Sequence, residues 1–209
     1  MTAVSAGNAV LLQEEIAKRV IEKDAFQKQI EYVCGIDVSY RNKFAYCSAV
    51  VIRKSSFEVE ESINTKSVIQ HEYIPGLFML READPILNSL KLLKTAFELL
   101  LIDGHGLLHP RKCGLASYIG VITNKPTIGV AKHLLCGSVR EDGFVELDNI
   151  ALGFRIKLQD KRPVYVSIGN KISLESAIYI VKQFTKYGEV IPEPLRIADA
   201  NSKNCLNFL

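Results

Sequence analysis

The chain has 209 residues, 48% of them apolar and 23% charged, with a formal net charge of +3. That length suits a single globular domain over 1–209 with a continuous core, and the balance argues against a disordered chain. The five cysteines, Cys34, Cys47, Cys113, Cys136 and Cys205, are odd in number and lack CxxC spacing, so neither a zinc knuckle nor a disulfide framework is indicated and a reducing cytoplasm is expected.

Near the N-terminus, Asn8, Gln13, Glu14 and Glu15 interrupt the apolar residues and no basic run precedes them, so no signal peptide is expected. No apolar run reaches the length of a membrane span, and no membrane partner is expected. Leu12, Ile16 and Val20, with charges between them, predict an amphipathic helix over about 9–30. The period then changes. Val33–Tyr40, Phe44–Arg53 and Val59–Lys66 read as three strands joined by short turns, an antiparallel meander. Asp84 suits an N-cap and Pro85 the first helical position, after which Ile86, Leu90, Leu93 and Phe97 recur at helical spacing.

Leu99–Ile102 is a continuous apolar run ending at Asp103, the pattern of a strand covered on both faces. Pro110 is read as opening a helix through about Val121, although Gly114 and Gly120 weaken it. Thr127–Ala131 repeats the buried-strand pattern and ends at Lys132. Short strands and turns are expected over Val139–Val166, with a turn at Asp142 and Gly143. Ser173 caps a last helix with Leu174, Ala177, Ile178, Val181 and Phe184 on its apolar face. The tail over about 190–209, with Pro192 and Pro194, reads as extended.

The order β-β-β-α-β-α-β with a terminal helix predicts an α/β fold with a mixed sheet. An antiparallel meander joins parallel strands, helices cover both faces, and the core spans about 33–187. This arrangement resembles the ribonuclease H-like fold. Asp37 and Asp103 stand where apolar strands give way to polar turns, the sheet edge at which open α/β folds place their chemistry. With Glu82 they make three oxygen-bearing groups able to hold a hard divalent cation. Taken singly, each carboxylate reads equally well as a turn-end or helix-entry charge, and His109 as a buried histidine satisfied by backbone. Downstream of His109 and Arg111, the residues Lys125, Lys132, His133 and Arg140 suggest a positive rim.

GIDVSY (35–40), YIPGLFMLRE (73–82), DGHGLLHPRKCGLAS (103–117), TIGVAKHLLCG (127–137) and SIGNKISLESA (167–177) resemble, in order, the motifs of the endonuclease V family. A weaker likeness follows in PEPLRIAD (192–199). The resemblance implies a DNA repair endonuclease that recognises deoxyinosine and cuts the second phosphodiester bond on its 3′ side, leaving 3′-hydroxyl and 5′-phosphate ends. Asp37, Glu82 and Asp103 match the acidic residues that bind Mg2+, for which Mn2+ substitutes. His109 matches the motif histidine, to orient water or assist the metal, and Lys132 the motif lysine, to offset phosphate charge. Tyr73, Ile74, Pro75 and Gly76 match the wedge that fills the gap left by a flipped base. Gly76, Gly104, Gly114 and Leu115 match the backbone lining of the hypoxanthine pocket, and Arg111 is counted with the substrate-binding residues.

Two positions depart from the pattern. Asn170 stands where many members carry histidine, which puts a metal or leaving-group role there in doubt, and Tyr118 replaces another histidine. The expected partner is deoxyinosine-containing DNA and the expected state a monomer. The alternatives are cleavage of inosine in RNA or of a structured junction, and a non-catalytic binder of deaminated DNA.

Overall fold

The structure, a computed structural model, describes residues 6–26 and 29–205. In chain order its elements are α1 (Ala6–Ala17), β1 (Tyr32–Arg41), β2 (Phe44–Arg53), β3 (Val59–Val68), α2 (Met79–Leu92), β4 (Leu99–Asp103), α3 (Leu115–Thr123), β5 (Thr127–Ala131), β6 (Ser138–Val139), β7 (Phe144–Leu147), β8 (Ile150–Ile156), β9 (Val164–Asn170), α4 (Leu174–Gln183) and α5 (Glu193–Asn204). The strands form one sheet in the order β3-β2-β1-β4-β5-β9-β8-β7-β6. Its centre, β1, β4 and β5, is parallel, and an antiparallel wing extends each side: the expected meander, and β9 to β6.

Strand alternation assigns the two faces. Leu99 and Leu101 of β4 pack with Ile128, Val130 and Val166 beneath Val181 of α4 and Leu195 of α5. Leu100 and Ile102 point the other way, into a core of Cys34, Ile36, Met79, Ile86 and Ile119 beneath α2 and α3; Ala9 of α1 joins it, and Ile16 of the same helix packs against Cys113 and Val121. The continuous apolar run of β4 is therefore the signature of a strand buried on both sides.

Four elements differ from the sequence expectation. The helix expected over 9–30 ends at Ala17. Beyond it Val20 and Phe26 turn into the main core, and the departing backbone is held from across the sheet. Ile21 N–H donates to Asn170 Oδ1 (3.0 Å) and Ala25 N–H to the Lys171 carbonyl (3.2 Å). Residues 1–5 of the N-terminal reading, 27 and 28 of the expected helix and 206–209 of the expected tail lie outside the described residues.

α2 begins at Met79, upstream of the Asp84 cap, and Pro85 lies inside it. Met79, Glu82, Ala83 and Ile86 share a buried face at helical spacing, so burial extends the helix past the proline, whose missing N–H leaves only the Arg81 carbonyl without its helical donor. α3 begins at Leu115 rather than Pro110. The loop before it is threaded tightly between β9 and α3: a Cβ on Gly106 would lie 1.9 Å from the Ile168 carbonyl oxygen, and one on Gly114 2.2 Å from that of His105.

The tail expected to be extended instead forms α5, with Pro192 as its N-cap and Pro194 in its first turn, where a missing N–H is no loss. Leu195, Ala198 and Ser202 make its buried face. Glu193, also buried, accepts hydrogen bonds from Arg196 and Lys186 (2.7 Å each), which hold its carboxyl down at about 2. Gly35 lets this helix seat on β1, since a Cβ there would stand 2.4 Å from the Pro194 carbonyl carbon.

Candidate active site

Register brings the first two carboxylates together. In the parallel β1–β4 pair Ile36 lies opposite Ile102, so Asp37 and Asp103 are the next residues on adjacent strands, on the face that α5 covers. Asp103 ends β4 as expected, but Asp37 lies within β1, which runs on to Arg41 because β2 continues to pair with it. α5 adds a third, and one carboxylate oxygen from each of Asp37, Asp103 and Asp199 lies within 4.8 Å of the others. Ser202 Oγ donates to Asp37 Oδ2 (2.6 Å). Lys132, immediately after β5, places Nζ 2.6 Å from Asp103 Oδ2 and 2.8 Å from Asp199 Oδ1, while Lys203 Nζ lies 2.6 Å from Asp199 Oδ2.

Glu82 faces the same recess of about 260 Å³, lined also by Asp37, Asp103, Lys132, Asp199 and Lys203, but its carboxylate is not one of the clustered three. Its Oε1 accepts from Tyr40 Oη (2.7 Å), and the Arg81 guanidinium lies over the Tyr40 ring, 4.1 Å from its centroid. Burial, followed by the nearby Asp103, pushes the Asp37 carboxyl up to about 7. Burial likewise holds Glu82 well above the ordinary carboxylate range, against the pull of Tyr40. Burial works to lower the Lys132 ammonium, yet Asp103 and Asp199 outweigh it and keep it charged.

Three convergent carboxylates, of which Asp37 resists ionisation while the Lys132 ammonium bridges the other two, fit a divalent cation: oxygen ligands converge, and its charge would relieve their repulsion. A carboxyl raised from 3.8 to about 7 binds its proton more tightly folded than unfolded, so metal-free protein should lose stability as pH rises through that window. The loss is on the order of 2–4 kcal/mol. Urea unfolding in chelator at pH 5 and pH 8 reads it; magnesium should restore stability at pH 8, and Asp37→Asn should reduce the difference to the part that Glu82 contributes. An unchanged pH difference in Asp37→Asn would discard this account.

Beside the recess is a cavity of about 330 Å³. Of the residues assigned from sequence to substrate, Tyr73, Gly76, Gly104, Gly114 and Leu115 line it, together with His105 and Leu135. Ile74 and Pro75 form the exposed turn beside it, and Arg111 stands behind, with Nη2 donating to the Gly76 carbonyl (2.6 Å). His109 lines the cavity and not the carboxylate recess. Its Nδ1 accepts from Arg111 N–H (3.2 Å), which leaves Nε2 protonated to donate to the Gly76 carbonyl (3.2 Å). Burial and then Arg111 push this imidazole down to about 4, so it is neutral near pH 7.

Asn170 is remote from the carboxylates. It pairs with Thr127 at the opposite end of β5 from Lys132, and Nδ2 donates to the Gly120 carbonyl (2.9 Å) while Oδ1 accepts from Ile21. It is a tie for the strap that follows α1. The positive rim also divides, for Lys125 lies over the Phe97 ring and Arg140 pairs with Asp142 and Glu146. Sequence reasoning missed Asp199 and Ser202. Their signal was the spacing of Leu195, Ala198 and Ser202, which is helical although prolines precede it.

Carboxylates side by side on two adjacent parallel strands, with a third from a helix packed across them, define a metal-dependent nuclease of the ribonuclease H-like class. The family model of endonuclease V matches residues 14–200. The chain is 41% identical over 191 residues to endonuclease V of Thermofilum pendens, covering 89% of this chain and 82% of that protein. With the Dictyoglomus thermophilum endonuclease V it is 38% identical, covering 95% and 90%. The crystal structure of Streptomyces avermitilis endonuclease V superposes with a TM-score of 0.90 at 29% identity, covering 98% of this chain and 94% of that one. Ciona intestinalis endonuclease V, in complex with a 24-mer DNA containing an inosine followed by a ribo-adenosine, gives 0.83 at 30% identity, covering 94% and 95%. This chain belongs to the endonuclease V family, and it is an endonuclease. Among the described residues no helix is long and apolar enough to cross a membrane.

Proposed function

We propose that the chain recognises deoxyinosine in DNA and, with magnesium or manganese, hydrolyses the second phosphodiester bond on its 3′ side, leaving 3′-hydroxyl and 5′-phosphate. The observation that carries this reading is a shared wall: Phe78, Asp103 and Lys132 line both the cavity and the carboxylate recess. A base turned out into the cavity leaves its strand beside the carboxylates, so reading and cutting are adjacent but separate, and the cut is displaced from the base. Asp37, Asp103 and Asp199, with Glu82 alongside, would hold the cation, which would supply Lewis-acid chemistry at the phosphate and lower the pKa of water.

The protein's own groups do the rest. Ser202 fixes the Asp37 carboxylate, Lys203 steadies Asp199, Tyr40 orients Glu82, and Lys132 offsets charge building on the phosphate. Tyr73, 59% exposed and edge-on to Phe78, is placed to fill the gap left by the base. The Gly104 and Gly114 amides already donate to the Val130 and Gly106 carbonyls. Those glycines therefore serve close approach; the Ala116 N–H is likewise taken, by the His105 carbonyl, so Leu115, which opens α3 on the cavity, supplies the backbone donor for the 6-oxygen of hypoxanthine.

End-labelled duplex with one deoxyinosine, beside its undamaged counterpart, tests the proposal. One nick at the second bond, abolished by chelator and restored by magnesium, is expected. Equal cutting of both duplexes, or a cut at the lesion itself, would discard it. A matched inosine RNA belongs in the same assay, because the Ciona relative's complex carries a ribonucleotide after the inosine; a strong preference for RNA would reassign the substrate.

A further inference from the structure

In one wall of the cavity, lined by Gln13, Gly76 and His109, lies a polar knot that the carboxylates do not share. Gln13 of α1 is 1% exposed, and all three of its side-chain hydrogen-bonding groups point inward to partners. Nε2 donates to the carbonyls of Cys113 (2.8 Å) and Gly76 (3.1 Å), and Oε1 accepts from Arg111 Nε (2.7 Å). Arg111 Nη2 and His109 Nε2 donate to that same Gly76 oxygen. Three donors thus converge on a carbonyl with two lone pairs, more than satisfying it requires.

That carbonyl belongs to the turn beside Tyr73. Leu77 N–H donates to the Ile74 carbonyl (3.0 Å), Pro75 occupies the second position, and Gly76 the third with φ of 76°, the pattern of a type II turn. A side chain at Gly76 would be strained by that φ and would stand 2.9 Å from Arg111 Nη2. The knot therefore joins three segments distant in sequence: α1, the Tyr73–Leu77 turn, and the His109–Cys113 turn. α1 is itself anchored by Ile16, packed on Cys113 and Val121. A buried polar network satisfied throughout holds one geometry.

We infer that Gln13 is a positioning residue for lesion recognition, fixing the turn that carries Tyr73 and closes one side of the base cavity. The inference rests on the base-reading role proposed above. A turn held in place before DNA arrives avoids an ordering cost on binding, so Gln13 acts on affinity and selectivity more than on the chemical step.

Two variants and two readouts test it. Gln13→Met fills similar space without hydrogen bonds; Gln13→Glu keeps the acceptor for Arg111 but loses both donors. Each is expected to unfold cooperatively in urea, to raise KM for the deoxyinosine duplex about tenfold with kcat within about threefold, and to narrow the preference over undamaged duplex. The second readout needs no turnover. The chain has no tryptophan, so Tyr73→Trp supplies a single indole that can be excited selectively over the tyrosines, and its anisotropy should fall when Gln13→Met is added. Unchanged KM, preference and anisotropy in Gln13→Met would overturn the inference, as would a fall in kcat at unaltered KM. Wild-type protein without deoxyinosine preference would instead overturn the base-reading role, leaving the anisotropy arm to judge the turn alone.

Discussion

Asp103→Asn is expected to lower kcat on a deoxyinosine duplex by at least about 10³-fold while leaving duplex affinity within a few-fold of wild type. The substitution keeps the size of the side chain and removes its charge. Asp103 sits where the two sites meet: it ends β4 beside Asp37, receives Lys132, and borders both the recess and the base cavity. An amide in its place offers one neutral oxygen to a cation and one N–H2 group that faces Lys132, so both the cation and the lysine lose an anionic partner.

A loss of about 10³ corresponds to about 4 kcal/mol of transition-state stabilisation. Single-turnover nicking with excess enzyme measures it without product release, and a gel shift in calcium measures binding separately. Weakened binding with normal single-turnover cutting would contradict the assignment, since it would place Asp103 in base recognition alone. The fold should tolerate the change: Asp103 is partly exposed at a strand end, and its lysine partner has Asp199 as a second acceptor.

What could be read from the sequence was whatever short-range pattern decides. Leu99–Ile102 announced a doubly covered strand, and the three N-terminal strands announced a meander, because alternation and turn residues act over a few positions. The placement of Asp103 at a strand end followed directly from its run, whereas Asp37 lies within β1, because pairing with β2 carries that strand on to Arg41. Tertiary contacts decided the remainder. The start of α2 depends on burial of Met79 and Glu82 against the sheet, which outweighs the stop signal of Pro85. α1 stops early because Asn170, far away in sequence, accepts the hydrogen bond that pulls Ile21 off the helical path.

The site was legible in the same proportion. A motif histidine near a carboxylate motif reads as a metal neighbour, but the tight glycine loop turns His109 toward the Gly76 carbonyl and away from the recess. Asn170 reads as a degraded catalytic position and is a structural tie. α5 was invisible because Pro192 and Pro194 look like breakers until one sees that they occupy the start of a helix.

That helix sets the second large expectation. Asp199→Asn should lower kcat by about 10²- to 10³-fold, less than Asp103→Asn because Asp199 sits on a helix docked over the sheet and not on a central strand. Lys132 and Lys203 outweigh burial and hold the Asp199 carboxyl below its usual range, so it is ionised throughout the neutral region and its removal should not shift the pH profile. Stability should change by no more than about 1 kcal/mol, since these ion pairs are partly exposed. The comparison with Glu82 makes the result decisive. The sequence motifs select Asp37, Glu82 and Asp103 as the metal set, whereas the clustered oxygens are those of Asp37, Asp103 and Asp199. If Asp199→Asn turns over within about fivefold of wild type while Glu82→Gln is inactive, the motif set holds the metal and Asp199 only steadies Lys132. A metal titration that shifts to higher concentration in Asp199→Asn, with normal duplex binding, places the third ligand on α5.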